Sequence, residues 1–148
     1  MAQAEIVIAD EHLLPHVAEL YNACFRPKAD VAYFTRRFAA RQSVLTLLAR
    51  VDERPVGFWI GFELKPGVFY HWLGAVASDA RRGGVAQQLQ EAMESWAREN
   101  GYEYLRTECL NAQREFVHFA VSCGYDVVGI RWDSTHSENM IIFEKGVA

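Results

Sequence analysis

The stretch Gly74-Ala75-Val76-Ala77-Ser78-Asp79-Ala80-Arg81-Arg82-Gly83-Gly84-Val85-Ala86 carries the clearest chemical signal in the chain: an apolar run passes through a glycine loop into a helix. The first N–H groups of a helix have no intrahelical acceptor, and the helix dipole places roughly half a positive charge there, so phosphates settle at such a terminus. Gly83 and Gly84 let the backbone approach an anion closely, and Arg81 and Arg82 supply guanidiniums that pair with phosphate oxygens. A Gly-Gly pair can also serve only to turn a chain into a helix, so the context must decide. No Gly-Lys-Ser/Thr follows, which excludes a P-loop, and there is no Gly-x-Gly-x-x-Gly after a first parallel strand, which excludes a dinucleotide fingerprint. His12 and His16 have the spacing of metal ligands on a helix, but no Glu follows His12 and no third ligand is apparent, so no metal is expected.

The elements that must position this loop follow from periodicity and breakers. Glu5 to Ala9 reads as a strand, and Asp10 can cap an amphipathic helix from Glu11 to Phe25 that tolerates Pro15 in its first turn. Asp30 can cap a second helix, Val31 to Arg41. Val44 to Val51, Val56 to Leu64 and Val68 to Ala77 are β-rich runs separated by turn-forming residues, and they predict three consecutive antiparallel strands. After the loop, Val85 to Asn100 reads as a helix closed by Gly101, Tyr104 to Cys109 as a strand, and Gln113 to Cys123 as a helix closed by Gly124. Tyr125 to Trp132 and Met140 to Lys145 form a last hairpin. The order β-α-α-β-β-β-α-β-α-β-β predicts an α/β fold: a mixed, mostly antiparallel sheet of six to seven strands with helices on both faces.

Composition narrows the partners. The chain has 148 residues, 51% hydrophobic and 23% charged, which suits one domain spanning residues 1–148. A net charge of −4 speaks against nucleic acid and against an anionic membrane, since both select a basic face. Met1 to Asp10 lacks the basic start and apolar core of a signal peptide, and no apolar run approaches a membrane span, so a cytoplasmic location is expected. Cys24, Cys109 and Cys123 form no Cys-x-x-Cys pair and read as reduced thiols, mostly in the core.

Arg81-x-x-Gly84-x-Ala86 resembles the Gln/Arg-x-x-Gly-x-Gly/Ala pyrophosphate motif of the GNAT N-acetyltransferase superfamily. The resemblance extends over the whole chain. The motif falls between the fourth strand and the third helix, Phe116 to Tyr125 looks like the fourth helix with its Gly-aromatic ending, and Ile141 to Lys145 matches the common final strand. It implies that backbone N–H groups from Arg82 through Val85 to Ala86 hold the pyrophosphate of acetyl-coenzyme A. Gly74, Ala75 and Val76 should pair with the pantetheine arm where the fourth strand splays from the fifth. Gln113 aligns with a family Asn that contacts that arm, or it caps the fourth helix. No metal is implied, and homodimers occur in the family.

The implied reaction moves an acetyl group to a primary amine of a small molecule, peptide or protein. An alkyl ammonium with a pKa near 10.4 must first lose a proton, and the thioester oxyanion needs donors. For the base, the family's fourth strand points to Tyr70 and His71, with His71 the better chemistry and Glu108 a carboxylate that can act through water. Strand alternation sends His71 to the face opposite Tyr70 and Trp72, unless a bulge reverses it. The family's usual acid, a Tyr one turn before the helix-ending Gly, is replaced here by Ala120, leaving Ser122, Cys123, Tyr125 or water. Tyr33, Phe34, Glu63 and Trp72 are expected to shape the acceptor pocket. Ala120 also leaves two alternatives open: an acyl-CoA-binding module with weak catalysis, or transfer of a longer acyl group.

Overall fold

The computed structural model describes residues 3–148; Met1 and Ala2, the start of the stretch read as lacking a signal peptide, lie outside the described residues. The elements are β1 (Glu5–Ile8), α1 (Leu14–Cys24), α2 (Val31–Ala39), β2 (Gln42–Val51), β3 (Arg54–Lys65), β4 (Val68–Val76), a 3-10 turn (Ser78–Ala80), α3 (Val85–Glu99), β5 (Tyr104–Leu110), α4 (Arg114–Ser122), β6 (Asp126–Asp133) and β7 (Glu138–Gly146). The predicted order holds. Two boundaries differ for a physical reason. The Asp10 carboxylate accepts the His12 N–H at 3.0 Å and its carbonyl accepts the Leu13 N–H at 3.1 Å, so residues 11–13 form a turn and α1 starts at Leu14. Asp30 does cap α2, accepting the Tyr33 N–H at 2.8 Å, but that helix stops at Ala39 and β2 takes over from Gln42.

The strands form one seven-stranded mixed sheet in the order β1-β2-β3-β4-β5-β7-β6. Every pairing is antiparallel except β4 with β5, which α3 joins by a crossover. The last hairpin sits at the end of the sheet with its second strand against β5, so β7 slots between β5 and β6. An apolar layer lies on each face. On one, Val85, Leu89, Met93 and Ala97 repeat every turn of α3 and pack with α4 against Trp59, Phe69, Leu105 and Phe143. On the other, Val17 and Leu20 of α1 and Phe34 of α2 cover Leu48, Phe58 and Ile60. Burying each such side chain contributes about 1.5–3 kcal/mol, and together they hold the central strands rigid.

Among the described residues no helix is long and apolar enough to cross a membrane.

Candidate functional site

The parallel pairing of β4 with β5 runs only from Val68–Tyr104 to His71–Thr107. The Thr107 hydroxyl donates to the His71 carbonyl at 3.1 Å and closes the last rung. Beyond it the strands diverge, so the β5-facing backbone of the half-buried residues 72–75 has lost its strand partner and is open to the donors and acceptors of a ligand. The divergence opens a cleft of about 1140 Å³, walled by β4 from His71 to Val76, by Thr107 to Cys109 of β5 and by the start of α4.

A bulge places the side chains around this cleft. Gly61 pairs with His71, yet Ile60 pairs with Leu73, so Trp72 is an extra residue in β4. Trp72 and Leu73 therefore both face α1 and α2, while His71 and Val76 lie with the α3–α4 layer. The bulge comes after His71, so it redirects the residues that follow and leaves His71 opposite Tyr70; the reversal that would have brought His71 to the acceptor side does not occur.

His71 is 3% exposed and stacks on Trp59, with ring centroids 4.4 Å apart and planes 14° from parallel. Its Nε2 lies 3.0 Å from the Leu73 carbonyl, which only accepts, so the ring carries its proton on Nε2 and leaves Nδ1 bare. Nδ1 is buried with no partner. Burial lowers the imidazole pKa to about 3, outweighing the opposing Leu73 bond, so the ring stays neutral at physiological pH and is a weak base. The Nε2–H bond spans the bulge and fixes its shape.

Trp59 is itself held. Its indole Nε1–H donates to Gln90 Oε1 at 3.2 Å, and Gln90 Nε2 donates to the Tyr125 hydroxyl and to Glu94, each at 3.0 Å. Glu94 pairs with Lys145 at 2.9 Å, so the chain of polar contacts runs from β3 through α3 to β7. A Cβ on Gly74 would lie 2.5 Å from the Trp59 ring, which is why only glycine fits there.

At the open end of the cleft the backbone turns through Arg82 at φ 66° and Gly84 at φ 83° into α3. Gly84 is the N-cap and provides no side-chain hydrogen bond, so the first N–H groups of α3 face the cleft mouth without a side-chain acceptor. Arg82 and Ala86 line that mouth, and Val85 is buried beneath it. Arg81 also reaches the cleft wall, but its Nε donates to the Val76 carbonyl at 3.0 Å, so it pins the loop to the end of β4. Gln113 lines the cleft and stands at the N-cap of α4, but its Oε1 accepts the Leu110 N–H at 2.8 Å, closing the β5–α4 turn, and makes no capping hydrogen bond to the helix.

The cleft thus joins a freed strand edge to an uncapped helix N-terminus, and the sequence profile of the acetyltransferase (GNAT) family matches residues 14–125. The chain belongs to the GNAT family. Solved structures agree on the fold. Ard1 from Thermoplasma volcanium aligns with a TM-score of 0.84 at 20% identity, covering 98% of both chains. A ribosomal-protein-S18-alanine N-acetyltransferase from Escherichia coli gives 0.84 at 17%, over 99% of this chain and 95% of that one. The putative acetyltransferase yncA from Salmonella typhimurium, solved with its cofactor acetyl-CoA, gives 0.80 at 14%, over 98% and 94%. Among curated proteins no relative matches the chain.

The remaining expected residues divide between the GNAT cleft and elsewhere. Glu108 lines the cleft, with its carboxylate 2.9 Å from the Arg131 guanidinium. Tyr70 packs on Phe62 at 5.5 Å, and burial, with the Glu108 charge behind it, raises its hydroxyl to about 12, so it remains a neutral donor. Trp72 lines the cleft, and Tyr33 faces it with ring centroids 6.5 Å apart. Phe34 is fully buried and stands edge-on behind Tyr33 at 5.3 Å, so it supports that ring and offers no surface to an acceptor. Glu63 is not brought to the site: it accepts from the Tyr102 hydroxyl at 2.9 Å and does not line the cleft. Ala120 is fully buried and forms no part of the cleft wall, which Phe116 and Phe119 fill instead, so it adds no room for a longer acyl chain. Sequence reasoning missed the Trp59–Gln90 support and the paired roles of Arg37 and Arg41. The guanidinium of Arg37 lies 5.0 Å from the Trp72 ring centre, and that of Arg41 lies 4.4 Å from the centre of Phe62. Their four-residue spacing was the available signal.

Proposed function

We propose that this chain is an acetyl-CoA-dependent N-acetyltransferase that passes the acetyl group directly to a primary amine of a small molecule, peptide or protein. The observation that carries the reading is the β4–β5 split, which frees a strand edge and leads it onto a helix N-terminus with no capping side chain. The freed backbone of residues 72–76 pairs with the amides of the pantetheine arm, and the N–H groups from Arg82 to Ala86 take the pyrophosphate. The thioester supplies an activated acyl carbon. The β4 bulge, held by His71, presents the backbone N–H groups that polarise its carbonyl.

Glu108 is the group we assign to the amine: on the cleft wall it attracts the ammonium and takes its proton through water. His71, neutral and turned away from Tyr70, serves as a positioning residue. Tyr70, its hydroxyl kept protonated by burial and the Glu108 charge, does not act as a base. The leaving thiolate needs no protein acid, in keeping with Ala120 buried in the core. A fold neighbour named as an N-acetyltransferase, and another named as a putative acetyltransferase and solved with acetyl-CoA, support this reading.

Thiol release from acetyl-CoA, followed with a panel of primary amines, tests it. The expected result is amine-dependent release above the uncatalysed background, lowered about a hundredfold or more in Glu108→Gln, the usual scale for a general base. Binding of acetyl-CoA without amine-dependent release by any panel member would favour the second reading, a coenzyme-binding module, which the missing α4 hydroxyl at Ala120 supports.

A further inference from the structure

Around Tyr70 and Trp72, on the face of the sheet opposite α3, charged side chains gather from four elements. Glu108 of β5 pairs with Arg131 of β6 at 2.9 Å, and Arg106 of β5 pairs with Glu144 of β7 at 3.1 Å. These two carboxylates are satisfied by two arginines. Two further arginines, Arg37 of α2 and Arg41 just after it, have no carboxylate partner among the described residues. Both rest instead on aromatic faces: Arg37 on Tyr33 and Trp72, with 5.8 and 5.0 Å to the ring centres, and Arg41 on Phe62 at 4.4 Å.

This arrangement has a definite physical consequence. Stacking occupies the flat face of a guanidinium and leaves its N–H edge free, and the ring holds that edge in one orientation. An oriented guanidinium edge matches a carboxylate or phosphate with two parallel hydrogen bonds. Phe62 and Trp72 are neighbours, 6.2 Å between centres, so the two platforms are continuous, and Trp72 is also a wall of the cleft. A chain with net charge −4 thus concentrates unpaired positive charge at one spot beside the place where an amine must enter.

We infer that the acceptor is a small primary amine that also carries an anionic group, a carboxylate or phosphate, which Arg37 and Arg41 bind while its amine enters the cleft beside Glu108. The inference rests on the acyltransferase reading for the fate of the amine, but the anion site itself can be measured without turnover.

The test is calorimetric titration of the protein, with and without saturating coenzyme A, with matched probes. Phenylalanine against phenylalanine amide reads a carboxylate, and phosphoethanolamine against ethanolamine reads a phosphate. The expected result is that the probe carrying the anionic group binds about tenfold or more tightly than its partner lacking that group, the scale of one charge-assisted bidentate contact. The double variant Arg37→Gln/Arg41→Gln should erase that preference while leaving acetyl-CoA affinity unchanged. The pair that shows the preference identifies the anion. Equal binding of both members in both pairs, absence of saturable binding by either anionic probe, or a preference that survives in the double variant would each overturn the inference. Failure of acetyl-CoA to bind the wild type would instead count against the acyltransferase reading, and the titrations without coenzyme would still decide the anion site.

Discussion

The two sides of the cleft are built from different materials. On the side we propose for the coenzyme the available groups are backbone: a strand edge freed by the β4–β5 split and a helix N-terminus whose cap, Gly84, contributes no side chain. On the proposed acceptor side the available groups are side chains, Trp72, Tyr33, Phe62 and the two stacked arginines, drawn from separate parts of the chain. A backbone site tolerates exchange of most side chains but not the arrival of one where space is required. A side-chain site behaves in the opposite way, and truncation there should alter acceptor selection while leaving coenzyme binding intact.

The largest effect expected from this contrast, after that of the helix cap, is at Gly74. Gly74→Ala puts a methyl 2.5 Å from the Trp59 ring, and such overpacking costs about 1–3 kcal/mol. Urea unfolding should show that loss, and acetyl-CoA affinity should fall with it; a neutral outcome in both would break the claim that β4 needs a bare backbone there. Trp59→Phe keeps most of the ring but removes the indole donor, leaving Gln90 Oε1 buried without it, at about 1–3 kcal/mol.

Next comes His71, which separates support from chemistry. Its folded pKa, about 3, lies below the unfolded value of 6.5, so between these pH values the unfolded chain binds the extra proton. Stability therefore rises with pH across that window and is lost on acidification, at about 1.4 kcal/mol per pH unit for this one group. His71→Gln should flatten the dependence of the unfolding free energy by about half a proton near pH 6.5, approaching one proton near pH 5. If the slope is unchanged, the imidazole is not held neutral by burial. Smaller still, Arg82→Ala should weaken acetyl-CoA binding by less than about tenfold, because one exposed charge adds only modestly to backbone donors. Glu63→Gln should leave binding and thiol release unchanged, since Glu63 hydrogen-bonds to Tyr102 and lies outside the cleft wall.

The same contrast explains what the sequence made legible. A strand-to-helix loop that turns through a left-handed position demands glycine there, and that demand is written contiguously in Arg81 to Ala86. The element order follows equally well from periodicity and breakers. The acceptor side draws Arg37, Phe62, Trp72 and Glu108 from segments far apart in the chain, and no local pattern joins them. Parity places His71 opposite Tyr70, but the position of the bulge, one residue later, depends on pairing with Ile60 and Gly61. The expectation for Glu63 fails although the same alternation, from Trp59 through Gly61, assigns it to the α3 face with Tyr102. Phe34 and Tyr33 are adjacent on α2 and so point in different directions, one into the core and one toward Trp72.

The measurement that bears most directly on the central claim is calorimetric titration of the wild type and Gly84→Asp with acetyl-CoA. The account predicts micromolar binding by the wild type, on the order of −8 kcal/mol, and a loss of about a hundredfold or more when a carboxylate occupies the helix cap. Equal affinity in the two proteins, or no binding by the wild type, would contradict it.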